Sequence, residues 1–162
     1  MKKLILLLSC IIAIQTAGAQ TTDPDNATLA LTNLKQMQTQ LLHAPTATGA
    51  AKVKQIDQML KLGVWDKALQ LINAGGPASP YKLLKADYLI LHNEYFDAEK
   101  LVTSALKSDP INIKALQLKA TLQIQAWKLP EAIITCKKIL KTNPNSEETE
   151  LIMGRAMLLQ KR

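Results

Sequence analysis

The sequence predicts an all-α fold of about eight helices, arranged as stacked helical hairpins. Three observations lead to this prediction. Hydrophobic residues make up 48% of the 162 residues but aromatic residues only 4%, and the bulk is Leu, Ile, Ala, Lys and Gln, which lacks the enrichment typical of strands. Apolar residues recur at three- and four-residue spacing in successive segments. Equivalent residues also recur at a fixed distance along the chain.

The N-terminus has the pattern of a secretory signal peptide over residues 1–19. Two lysines precede an uncharged apolar run from Leu4, which ends in the small residues Ala17-Gly18-Ala19, typical of a cleavage site. We expect cleavage after Ala19 and an exported protein in the periplasm or cell envelope. Two alternatives remain open. One is an uncleaved membrane anchor, although the run is shorter than the ~20 residues that span a bilayer. The other is a lipoprotein lipidated at Cys10.

Residues that stop or start helices divide the rest of the chain into eight segments. The expected helix ends lie at Ala44-Pro45, Gly63, Gly75-Gly76-Pro77, Asn93, Asp109-Pro110, Trp127 and Asn143-Pro144. The helices are expected to start at residues that favour the N-cap or the first turn: Asp25 or Asn26, Asp66, Ser79-Pro80, Asp97, Asn112, Pro130 and Ser146. Capping residues and prolines are favoured at such positions, and no segment alternates as a strand would.

A 34-residue period runs through the second half of the chain. Three pairs of equivalent residues are separated by 34 positions: Ala86 and Ala120, Ala98 and Ala132, and Pro110 and Pro144. One helix–turn–helix hairpin has this length, and it cannot bury its apolar face alone. The period therefore indicates hairpins that stack on their neighbours.

These residues resemble the tetratricopeptide repeat, which has a small residue in its first helix, an alanine early in its second helix and a closing proline. Residues 79–112 match with Ala86, Tyr95, Ala98, Ala105 and Pro110, and residues 113–146 with Ala120, Leu129, Ala132, Ile139 and Pro144. A truncated unit at about 49–78 has Gly63, Trp65 and Ala68, and a C-terminal helix spans 147–162. Residues 20–48 form an N-terminal helical segment outside the repeats.

The resemblance implies a right-handed α-solenoid. It is weaker in the first helices, where Lys82, Lys85 and Leu89 stand in place of the family's Trp, Leu and Tyr. A different helical-hairpin repeat therefore remains open.

The sequence offers no constellation for catalysis or metal binding. His43 and His92 have no partner at metal-ligand spacing, and Cys136 lies on an apolar helix face, where we expect a buried small hydrophobe. The acidic group Glu94, Asp97 and Glu99 fits a solvated turn. The net charge of +7 comes mainly from scattered lysines, which favour a solvated basic surface over nucleic-acid binding. We therefore expect no enzyme activity, cofactor, nucleic-acid partner or integral membrane span.

The resemblance implies a concave groove, lined by the first helix of each unit, that binds a segment of another protein. The expected groove residues face away from the packed small residues: Leu83, Asp87, Ile90, Leu91, Gln117, Thr121, Ile124, Gln125, Leu151, Arg155 and Leu158. We expect Ile124 and Arg155 to contact the partner without contributing to folding. In an alternative, Leu83, Ile90 and Leu91 instead cover the N-terminal helices.

Two functions follow from this interpretation, and the sequence does not identify the partner in either. The first is an exported adaptor or scaffold that binds a partner peptide or helix in the groove. The second is a structural subunit of a larger cell-envelope assembly, possibly lipid-anchored, in which the groove is permanently covered.

Overall fold

A computed structural model describes residues 24–76 and 78–161. The expected signal peptide, the cleavage site after Ala19 and Cys10 lie outside these residues. The described residues form eight helices and no strand, which confirms the all-α prediction. The helices are α1 (Pro24–His43), α2 (Gly49–Lys61), α3 (Trp65–Ala74), α4 (Ser79–Leu91), α5 (Tyr95–Ser108), α6 (Ile113–Gln125), α7 (Leu129–Thr142) and α8 (Glu147–Gln160). None of these eight has the length and apolar character needed to cross a membrane.

The described residues fall into two compact units, which divide between Thr39 and Gln40. The described part of the first unit is most of α1, where Leu29 and Met37 are exposed. The second unit begins with the last turn of α1 and contains all the other helices. At its start, the Lys67 ammonium donates hydrogen bonds to the carbonyls of Leu41, Leu42 and Ala44. The carbonyls of Leu41 and Leu42 lie in the last turn of α1, where backbone carbonyls have no partner within the helix, so Lys67 satisfies them.

Three tight turns join α2 to α3, α4 to α5 and α6 to α7 with the same backbone geometry. In each turn one residue has a positive φ: 77° at Gly63, 63° at Asn93 and 58° at Trp127. In each turn the next residue donates its N–H to a carbonyl five positions earlier, at 2.9, 2.8 and 2.8 Å. This is the Schellman arrangement that closes a helix. The turn is therefore repeated in the backbone although its residues differ.

The second helix of each hairpin also starts alike, at Trp65, Tyr95 and Leu129. Three residues later an alanine is fully buried: Ala68, Ala98 and Ala132. An alanine at this position lets the two helices of a hairpin approach closely, because a longer side chain would hold them apart.

Consecutive hairpins share their cores. Besides the pairs within each hairpin, α3 packs on α4, α5 on α6 and α7 on α8, while the first helices pack in the series α2–α4–α6–α8. Three buried clusters fill these contacts, around Met59 and Ile72, around Val102 and Leu118, and around Ile124 and Ala156. Each cluster takes residues from a hairpin and from the next helix, as the predicted stacking requires.

The helix starts predicted at Ser79, Asn112 and Ser146 are confirmed, and the start predicted at Asp97 is wrong. Asn112 and Ser146 cap α6 and α8, and their side chains accept hydrogen bonds from the N–H of Ala115 and of Thr149. Ser79 is the first residue of α4 and Pro80 lies in its first turn, as predicted, although the N-cap position is Ala78. Asp97 lies inside the first turn of α5, which begins at Tyr95.

Candidate functional site

Four of the expected groove residues are buried and do not form a surface. Leu83, Ile90, Gln117 and Ile124 are only 4–7% exposed. Leu83 and Ile90 belong to the cluster that contains Ala115 and Leu118 of α6, and Ile124 to the cluster that contains Ala156 of α8. The face opposite the small residues is therefore the face on which the next hairpin packs. The expectation that Ile124 is free to contact a partner is wrong for this reason.

Gln117 joins α6 to α8 through a buried polar group. Its Nε2 donates to Ser146 Oγ at 3.3 Å and to Thr149 Oγ1 at 3.1 Å, and the two hydroxyls lie 2.7 Å apart. Among the described residues, no buried side-chain nitrogen or oxygen lacks a partner. A buried polar group that is fully hydrogen-bonded fixes one arrangement of the helices around it.

The other expected groove residues are partly or fully accessible. Thr121 and Gln125 are half-buried, and the Thr121 hydroxyl donates to the Gln117 carbonyl at 3.1 Å. Leu91 is 42% exposed. Leu151, Arg155 and Leu158 are exposed on α8. Asp87 is half-buried and belongs to a charged cluster.

That cluster surrounds the ammonium of Lys114, at the start of α6, with carboxylates from three other first helices. Lys114 Nζ lies 3.4 Å from Asp57 of α2, 3.1 Å from Asp87 of α4 and 3.2 Å from Glu148 of α8. Asp57 also pairs with Lys61 at 2.8 Å. The side chains of Lys114, Asp57 and Asp87 are 21–27% exposed. One lysine therefore links all four first helices of the second unit.

Burial and charge act in opposite directions on the pKa values of this cluster. Burial is the largest influence on Asp87 and raises its pKa, in spite of the nearby Lys114. Burial also acts to raise the pKa of Asp57, but the two lysines outweigh it and the pKa is lowered. Burial favours a neutral Lys114, but the three carboxylates outweigh it and raise its pKa. Lys114 thus stays charged, and its positive charge offsets the repulsion between the neighbouring carboxylates.

A cleft of about 490 Å³ opens beside this cluster. The apolar part of its lining, here called its floor, comes from Val53 on α2 and from Pro80, Leu83 and Leu84 on α4. The charged part, here called its edge, comes from Lys54, Asp57, Lys114 and Glu148. The complete lining is Ala50, Val53, Lys54, Asp57, Ser79, Pro80, Leu83, Leu84, Asn112, Lys114 and Glu148. An apolar floor with a few polar groups around it is the usual composition of a site that holds a peptide or small ligand.

Sequence reasoning found two of these lining and cluster residues, Leu83 and Asp87, and missed the rest. The 34-residue period could have predicted one of these contacts, the ion pair between Lys114 and Glu148. Lys114 and Glu148 are 34 residues apart and oppositely charged. Equivalent positions of stacked units are neighbours, so a sign change between them predicts an ion pair.

The residues considered for chemistry lie apart from the cleft. Cys136 is fully buried, as predicted, and burial raises its pKa, which makes it a poor nucleophile. The His92 ring donates from Nδ1 to the Tyr88 carbonyl at 2.9 Å and lies between the rings of Tyr88 and Trp65. Asp97 pairs with Lys100 at the surface. Within residues 24–76 and 78–161, no group of three or more potential ligands is arranged to hold a metal ion.

The chain matches no protein-family model, no curated protein and no solved structure. The site is therefore interpreted from its own geometry.

Proposed function

We propose that this chain is a tetratricopeptide-like interaction module, a right-handed α-solenoid that binds a segment of a partner protein in the cleft formed by its first helices. The cleft carries the proposal, because α2 and α4 supply its apolar floor while Lys114 of α6 and Glu148 of α8 add to its charged edge. The repeated turns and the buried alanines at Ala98 and Ala132 support the repeat assignment.

The cleft composition favours a particular kind of segment. The floor of Val53, Pro80 and Leu84 fits one or two apolar side chains, and burying each contributes about 1.5–3 kcal/mol. At the edge, Lys54, Asp57 and Glu148 offer both signs of charge, which favours a segment with polar groups on either side of its apolar residues. We propose that the partner segment is a short amphipathic helix or an extended peptide.

In this proposal the protein acts after export. The N-terminal pattern, with cleavage after Ala19, supports a periplasmic or envelope location. Mass spectrometry of the N-terminus of the purified protein tests this. A lipid on Cys10 would instead indicate an anchored protein.

Two adjacent alanines on α2 provide a matched test of the cleft. Ala50 lines the cleft and Ala51 does not, although both are exposed in the first turn of the same helix. A benzophenone amino acid at position 50 should crosslink the partner in cells, whereas the same group at position 51 should not. Mass spectrometry of the crosslinked species identifies the partner segment.

Affinity for the identified segment then provides the quantitative test. In Ala50→Arg, the side chain fills the cleft and its guanidinium reaches the carboxylates of Asp57 or Glu148, so we expect at least about tenfold weaker binding, or ~1.4 kcal/mol. Ala51→Arg adds the same charge outside the cleft and should bind within about twofold of wild type. Equal crosslinking from both positions, or equal affinity of both variants, would show that the partner binds elsewhere.

A further inference from the structure

The outer face of α8 carries an exposed apolar stripe. Leu151 is 76% exposed and Leu158 is 69% exposed, with Met157 beside them at 45%. Leu151 and Leu158 are seven residues apart, so they lie two turns apart on one side of the helix. The opposite side of α8 packs on α6 and α7 through Ala156 and Ile152. Large apolar side chains gathered on one free face mark an interaction surface.

The same positions are covered in the preceding units. Gln117 and Leu83 precede Leu151 by 34 and 68 residues, and Ile124 and Ile90 precede Leu158 by the same two distances. These four earlier residues are buried, and each belongs to a contact with the next first helix. The stripe on α8 is therefore the stacking face of the repeat, without a helix on it among the described residues.

The charges along α8 indicate what can cover this face. Its first turn is acidic, with Glu147, Glu148 and Glu150, and Lys161 follows its last turn. When a second α8 lies antiparallel on the first, the acidic end of each copy faces the basic end of the other. The two helix dipoles are then also opposed, which is favourable. Parallel packing would instead bring like charges together.

Gly154 lies at the middle of α8, close to where the axis of such a pair would pass. A Cβ added at Gly154 would meet no atom within 4 Å, so packing within the chain does not require a glycine. A glycine inside a helix costs about 1 kcal/mol relative to alanine. At the crossing point of two helices, however, it permits a closer approach of their backbones.

We propose that two copies of this chain associate through α8, antiparallel, about a two-fold axis near Gly154. Leu151 of one copy then packs near Met157 and Leu158 of the other, and Glu147 lies opposite Lys161. This interface is separate from the cleft, so a partner segment and a second copy bind at different places.

Sedimentation velocity of the purified full chain across protein concentration tests the proposal. We expect a reversible dimer, weakened by Leu151→Glu at least about thirtyfold, because a charge is placed in a desolvated contact. Ile134→Glu is the matched control. Ile134 is 67% exposed on α7, outside the stripe, and its dimer should be unchanged within about twofold. Circular dichroism should show full helicity in both variants, since both side chains are exposed.

A charge exchange distinguishes a second copy from any other occupant. Glu147→Lys and Lys161→Glu should each weaken the dimer about three- to tenfold, and the double variant should restore it, because the opposed charges are exchanged but remain complementary. A monomer at all concentrations, a dimer insensitive to Leu151→Glu, or a double variant no tighter than the singles would overturn the proposal. None of these results bears on the Ala50 and Ala51 comparison, which tests the cleft.

Discussion

Lys114→Met tests whether the charged cluster holds the first helices together. Methionine keeps the length and helix propensity of lysine but removes the ammonium that faces Asp57, Asp87 and Glu148. The three carboxylates then remain close together, and among the described residues only Lys61, which pairs with Asp57, is left as a counter-charge. Removing one partner of a fully buried pair costs about 3–5 kcal/mol. Because these side chains are 21–45% exposed, we expect a smaller loss, of about 2–3 kcal/mol at pH 7.

The loss of stability in Lys114→Met should depend on pH, in a direction that follows from the pKa shifts. In the wild type, the lowered pKa of Asp57 contributes stability that is present above about pH 4 and lost as the pH falls further. The raised pKa of Asp87 opposes this, because its ionised form costs free energy in the folded state. The raised pKa of Lys114 contributes stability at all pH values below about 10. Without Lys114 the pKa values of Asp57 and Asp87 rise, so the stability deficit of the variant should shrink between pH 7 and pH 4.

Urea denaturation of the wild type and the variant at pH 7, 5 and 4 measures this deficit. A loss of 2–3 kcal/mol corresponds to a fall in melting temperature of about 4–12 °C. Lys119→Met is the control, since Lys119 is an exposed lysine on the same helix, and we expect a change within about 0.5 kcal/mol. Equal stability of Lys114→Met and wild type, or a deficit that is constant with pH, would refute a stabilising role for the cluster.

Three further predictions concern the repeat. Trp127→Gly should raise the free energy of unfolding by about 0.5–1 kcal/mol, because a non-glycine residue at positive φ is strained and the Trp127 side chain is 71% exposed. Gly63→Ala at the equivalent turn should lower it by about 1 kcal/mol. A fall for Trp127→Gly or a rise for Gly63→Ala in urea denaturation would contradict the shared turn geometry. Ala98→Leu and Ala132→Leu should each lower the free energy of unfolding by about 1–3 kcal/mol, because both sites are fully buried. Unchanged melting temperatures would show that the helices do not pack closely at these alanines. Ile124→Glu should unfold the protein, because it buries a charge in the core; native circular dichroism would contradict its core position.

The sequence predicted the number and order of the helices because apolar spacing and helix-stopping residues are local signals. It predicted the start of α5 poorly for a reason that lies in the turn. The residues before α3, α5 and α7 are Val64, Glu94 and Lys128, which have nearly the same backbone angles and no side-chain cap. The preceding Schellman bonds fix where the next helix begins. A search for capping side chains therefore placed the α5 start at Asp97, two residues too late.

The expected groove failed for a different physical reason. A helical wheel assigns the face opposite the small residues to solvent, because it treats each first helix alone. Among the described helices, however, α4 and α6 each pack between two other first helices, so Leu83 on α4 is covered by α6 and Ile124 on α6 by α8. The predicted exposure is correct for Leu91 at the end of α4 and for Leu151 and Leu158 on α8, the last helix that the structure describes. Accessible first-helix surface therefore lies at the edges of the stacking contacts, which is where Ala50, Lys54 and Asp57 line the cleft.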